Sequence, residues 1–156
     1  MSTYYNYKKK HSDKEEGTDC ILTLECGKIF DPYIPSTLND NPSNPMMPPI
    51  KLASVTVDTR SLRKAYVNIE FSSIISVVNL NADTDSTITL KFRLTRECKN
   101  KEKEILQEWE YIQSVVGEDN GNGESKKTFT VTFCECLDCF HIDCCKYIIE
   151  LIQVAS

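Results

Sequence analysis

Apolar residues recur at every second position through most of this chain. Ala53, Val55 and Val57 alternate with Ser54 and Thr56. Ala65, Val67, Ile69, Phe71, Ile75 and Val77 keep one parity against Tyr66, Asn68 and Glu70. Ile88, Leu90, Phe92 and Leu94 alternate with Thr87, Thr89, Lys91 and Arg93, and Phe129, Val131 and Phe133 with Thr128, Thr130 and Thr132. Cys145, Tyr147, Ile149 and Leu151 oppose Lys146 and Glu150. A two-residue period with one apolar side marks a strand with one buried face. The turn-forming stretches NADTDS and GEDNGNGES separate the runs. The pattern therefore predicts an all-β chain, an antiparallel β-sandwich or jelly roll over residues 51–156. The segment 103–116 carries two periods. Ile105, Trp109, Ile112 and Val116 fit a helix, whereas Trp109 and Tyr111 beside Ile112 and Ser114 fit a strand. The hairpin signal at Asn120-Gly121 tips it to a strand.

Residues 1–50 read differently. The first nineteen are polar, with Lys8, Lys9, Lys10 and Lys14 balanced by Asp13, Glu15, Glu16 and Asp19. Such a stretch has no apolar surface to bury and is expected to be an extended arm. Cys20-Ile-Leu-Thr-Leu-Glu-Cys26, closed by Gly27, alternates as a short strand that places Cys20, Leu22, Leu24 and Cys26 on one face. All six prolines then fall between Pro32 and Pro49. Proline removes a donor and fixes φ, so this stretch is a stiff, extended connector.

Composition narrows the function. Formal charge is −5 over 156 residues, which argues against a nucleic-acid binder held by phosphate neutralisation. No apolar run approaches the length of a membrane-spanning helix. The N-terminal lysines have no apolar region behind them, so no secretory signal peptide is expected. Two histidines leave little for His-based catalysis, and His141 reads as a turn residue. There is no GxSxG elbow and no glycine-rich phosphate loop. Asp119, Asn120, Asn122 and Glu124 do not match the glycine register of a calcium loop. The chain reads as a non-enzyme without a cofactor.

Eight cysteines remain. Cys134, Cys136, Cys139, Cys144 and Cys145 cluster in CECLDCFHIDCC, while Cys20, Cys26 and Cys98 stand apart. If Phe129, Val131 and Phe133 face the core, alternation turns Cys134 and Cys136 outward. By the same rule Cys145 is buried and Cys144 faces out. Outward thiols suit intermolecular disulfides, a disulfide pinning a hairpin, or a metal. A tetrahedral zinc set would be Cys134, Cys136, Cys139 and Cys144, although the spacing departs from a zinc knuckle. Cys136-Leu-Asp-Cys139 lacks the helix N-terminus that activates a CxxC redox pair. Trp109 and Tyr111 are the adjacent aromatics that a carbohydrate-binding platform would use. Clustered cysteines without an export signal pose a conflict, because cytosolic thiols are normally kept reduced.

LASVTVDT (52–59), VNIEFSSII (67–75), LKFRLTREC (90–98), Trp109 and FTVTFCECLDC…DCCKYIIELI (129–152) resemble a cysteine-rich domain of unknown function from spore-forming clostridia. ILTLECG (21–27) is similar to the cysteine-bearing strand that opens that family. A looser, architectural similarity is to endospore-appendage subunits of Bacillus, jelly rolls whose cysteine-bearing N-terminal connector links neighbours into fibres. The chain departs from these in cysteine spacing and in its proline-rich linker. These resemblances imply a self-assembling structural subunit on the spore surface, made without a signal peptide and oxidised after release. They give Cys20 and Cys26 as arm thiols and Cys134, Cys136, Cys139 and Cys144 as intermolecular acceptors. Cys98 and Cys145 are left as intrachain or buried. The partner expected is a second copy of the chain, with no nucleic acid and no membrane span.

Overall fold

The alternating runs become six long strands. The computed structural model describes residues 24–32, 34, 48–60, 65–79, 86–99, 101–115, 123–137 and 144–155. A short β1 (Lys28–Ile29) precedes β2 (Ile50–Asp58), β3 (Ala65–Asn79), β4 (Ser86–Cys98), β5 (Glu104–Val115), β6 (Gly123–Leu137) and β7 (Cys144–Ala155). The described residues contain no helix, and the two-period segment is a strand from Glu104 to Val115.

The strands form two antiparallel sheets. A five-stranded sheet has the order β1-β2-β7-β4-β5, and a two-stranded sheet pairs β3 with β6. The pairing is nested: β4 with β5, β3 with β6, β2 with β7. This is one long hairpin whose two arms cross together from the large sheet to the small one and back. The chain closes on itself where β7 lies between β2 and β4. A jelly roll asks for eight strands in two Greek keys, whereas seven are described here, one of them two residues long.

Each sheet turns its apolar parity to the other. Ala65, Val67 and Val77 of β3, Phe129, Val131 and Leu137 of β6, and Leu90, Phe92, Leu94, Tyr147, Ile149 and Leu151 opposite them are buried. Phe92 stacks on Phe129 with ring centroids 4.4 Å apart, and Tyr111 meets Phe129 edge-on at 5.5 Å. Trp109 packs against the same cluster. Offset and edge-to-face contacts of this kind add to the area that the rings bury.

Four expectations change. Asn120-Gly121 does not join a hairpin, because β5 and β6 lie in different sheets; the local turn signal carried no information about which sheet receives the next strand. For the same reason β6 and β7 are not a hairpin. Leu24–Gly27 is not a strand, and β1 begins one residue later. Gly27 lies so close to β2 that an added Cβ would meet the Ser54 carbonyl oxygen at 3.1 Å. Glu150 keeps outward parity but is 5% exposed, beside buried Thr95 and Ile148, with Lys103 Nζ 2.7 Å from its Oε1. Residues 1–23 and most of the proline-rich connector lie outside the described residues, and Ile34 packs against the core cluster.

Cys98 and Cys145 are directly opposite on β4 and β7, and a disulfide joins them with Cα atoms 4.1 Å apart. It closes a loop with a sequence separation of 47. In the chain-entropy account such a loop stabilises by about 4 kcal/mol. A Cys98→Ala, Cys145→Ala double variant is expected to lose on that order in urea unfolding followed by far-UV circular dichroism. An unchanged midpoint would show that the bond leaves the unfolded chain's freedom as it was.

Candidate functional site

The cysteines sort by strand parity. On β6, Phe129, Val131, Phe133, Glu135 and Leu137 face the large sheet, so Cys134 and Cys136 project from the opposite, exposed side. In register, Cys134 lies across from Asn68 and Cys136 across from Tyr66. The Cys134 thiol donates to Asn68 Oδ1 at 3.2 Å, and Tyr66 is 76% exposed. Cys145 is buried in the disulfide. Its neighbour Cys144 is half-buried opposite Asp58, in the large sheet. Cys26 is exposed just ahead of β1. Cys20, Cys139 and His141 lie outside the described residues.

This placement separates members of the predicted cluster. Cys134 and Cys136 share the outer face of the small sheet, while Cys144 belongs to the large one. Among the described residues, no three His, Cys, Asp or Glu side chains gather as metal ligands would. Trp109 and Tyr111 are half-buried and pack on the core, so the aromatic pair offers no exposed platform for a sugar ring. That removes the feature on which the carbohydrate-binding reading stood.

A polar clasp inside the sandwich was not foreseen. Arg96 Nη1 on β4 donates to Glu135 Oε2 on β6 at 2.6 Å, and its Nη2 donates to Glu104 Oε2 at 2.7 Å. The Tyr147 hydroxyl on β7 donates to Glu135 Oε1 at 2.5 Å. At the other end Gln113 Nε2 of β5 donates to Ser125 Oγ of β6 at 2.7 Å. The signal was present in the sequence: Arg96 and Glu135 are charges at inward parity in otherwise apolar rows. Burial alone would lower the Arg96 pKa, but hydrogen bonding to Glu104 and the charges of Glu135 and Glu104 outweigh it and hold it raised. A buried charge keeps its ionised form only with such partners.

A cleft of about 360 Å³ opens between β2 and β3, walled by Val55, Val57, Ile69, Phe71 and Ile149, with Leu24 and Glu25 at its mouth. Asp58 lines it too, where Arg60 donates to its carboxylate and holds its pKa down to about 2. Asp58 is tied to a neighbouring guanidinium and not to a second acid. No helix among the described residues is long and apolar enough to cross a membrane.

The Tyr147 pKa is raised, first by burial and then by its hydrogen bond to Glu135 and that residue's charge. The folded pKa stands above the unfolded value of about 10. The contribution is therefore complete below pH 10 and is lost as pH climbs from there towards the folded pKa. In a tyrosinate absorbance titration, Tyr147 is expected to ionise only as the chain unfolds. Tyr147→Phe should lack this loss of stability above pH 10. Complete titration near pH 10 with an intact circular dichroism spectrum would contradict this.

One family description matches this chain: Domain of unknown function (DUF4489), over residues 20–156. No curated protein and no solved structure matches it.

Proposed function

The chain belongs to the DUF4489 family, and we propose that it serves as a structural subunit that assembles with copies of itself through interchain disulfides. Its arm thiols, Cys20 and Cys26, meet acceptors among Cys134, Cys136, Cys139 and Cys144 of a neighbour. The observation that carries this reading is the exposed Cys134–Cys136 pair on a fully paired strand. A cysteine in the core is accounted for by packing, whereas an exposed one is accounted for by its reactivity. The interior cystine uses Cys98 and Cys145, and Cys134 and Cys136 lie outside it on the opposite face.

An arm that reaches a different patch on the next copy makes a heterologous contact, and such contacts grow into open fibres or layers unless they close. Covalent joints would give the assembly kinetic persistence where non-covalent interfaces dissociate. The reading is structural and not enzymatic. The resemblance to clostridial cysteine-rich domains adds a setting, the spore surface.

Native material run on a non-reducing gel is expected to give a ladder that collapses to one band on reduction. Replacing Cys20 and Cys26 together by Ser should abolish the ladder. Native protein that is monomeric and free of interchain bonds would overturn the proposal.

A further inference from the structure

The two outer faces of the sandwich differ in charge. On the large sheet, Lys91 and Arg93 of β4 face Glu110 and Glu108 of β5 in cross-strand ion pairs of 3.8 and 2.8 Å. On the small sheet, the outward, exposed positions from Tyr66 to Ser76 and from Lys126 to Cys136 form six cross-strand pairs. Glu70 and Lys126 are the charged residues among those twelve, in a chain that is 26% charged. The middle of this face is small and hydroxylic, with Ser72 and Thr130 hydrogen-bonded at 2.9 Å. Its flanks carry Tyr66 and Ile74, which are 76% and 69% exposed. Cys134 and Cys136 stand within it.

We infer that the outer face of β3–β6 packs against the same face of a second copy about a twofold axis, with Cys134 and Cys136 forming disulfides across that axis. Small side chains let two sheets approach closely, as a bond between facing cysteines demands. A twofold joint presents the same patch from both sides, and with its axis running along β6 each thiol, and Thr130 with them, meets its own equivalent. Area explains why the joint is covalent. Fifteen paired residues rising about 3.3 Å each, on two strands about 4.8 Å apart, give a face of about 500 Å². A stable interface buries about 800 Å² per partner. The non-covalent contact therefore falls short by itself and serves to align the thiols.

The bond forms by exchange with a low-molecular-weight disulfide. A Cys134 or Cys136 thiolate attacks one sulfur and releases a thiol, and the second copy's thiolate then displaces the other. Two protein thiols become one cystine, and the small disulfide takes up both electrons and both protons as two thiols. The inference rests on the reading of the chain as a thiol-joined subunit. It assigns Cys134 and Cys136 to a face-to-face joint, leaving Cys139 and Cys144 to the arm.

The test uses the full chain with Cys20→Ser and Cys26→Ser, oxidised with glutathione disulfide. A closed dimer is expected, and cleavage at Lys127 and Asp138 should yield the peptide carrying Cys134 and Cys136 linked to itself. Adding Thr130→Arg sets like charges against each other across the axis and should lower the dimer yield about tenfold, with the circular dichroism spectrum unchanged. A monomer, a linkage through other cysteines, or a dimer indifferent to Thr130→Arg overturns the inference. With Cys20 and Cys26 retained, a ladder that survives Cys134→Ser and Cys136→Ser would leave the arm-linked reading standing without the face joint. A face-linked dimer without any ladder would do the reverse.

Discussion

The fold depends on holding a two-stranded sheet against a five-stranded one. A lone two-stranded ribbon is marginal in water, so β3 and β6 persist as a sheet only through what their inner face meets. Apolar contact supplies most of this: the ring of Phe129 sits between Phe92 and Tyr111, and Val67, Val131 and Leu137 are buried with them. Apolar contact is tolerant of sliding, however. The clasp of Arg96, Glu135 and Tyr147 is directional, and with Gln113 and Ser125 at the opposite end it fixes where along the large sheet the small one rests. Glu135 is the hub, because each of its oxygens accepts from a different strand of the large sheet.

That placement also determines the chemistry of the neighbouring cysteines. Glu135 points inward, so the residues on either side of it point outward, and both are cysteines. The hub thus presents two thiols on the face opposite to itself. Cys145 is turned the other way by the inward run of Tyr147, Ile149 and Leu151, directly across from Cys98. One chain in this way carries a sealed cystine and an open thiol pair on adjacent strands in sequence, distinguished by strand parity alone.

How far this was legible in the sequence follows from the range of each interaction. Parity is a local property, and the inner rows of β3, β4, β6 and β7 could be read directly from alternation. So could the outward aim of Cys134 and Cys136. Topology is not local. The Asn120-Gly121 turn looked like a hairpin because nothing nearby reveals that β5 pairs back to β4 while β6 crosses to β3. The same gap concealed the burial of Glu150, which depends on Lys103 reaching over from the β4–β5 connection. Arg96 and Glu135 were readable as misplaced charges, but each explains the other only once the two sheets face each other. For the thiols, the sequence indicated their aim and not their company. Cys144 looked like a neighbour of Cys134 and Cys136, yet it belongs to the other layer.

The nested strand pairing sets the timing of folding. Among the long strands only the β4–β5 pair can close while the chain is still short; β3 waits for β6, and β2 waits for β7, which is last in sequence and yet central in the large sheet. Pairings between distant segments lose loop entropy before any contact compensates, and they fold slowly. While the ribosome is still at work, Val55, Val57, Ile69 and Phe71 are exposed to solvent with their partners unmade. The interval before β7 emerges is thus when this chain is most prone to aggregation and most dependent on chaperones.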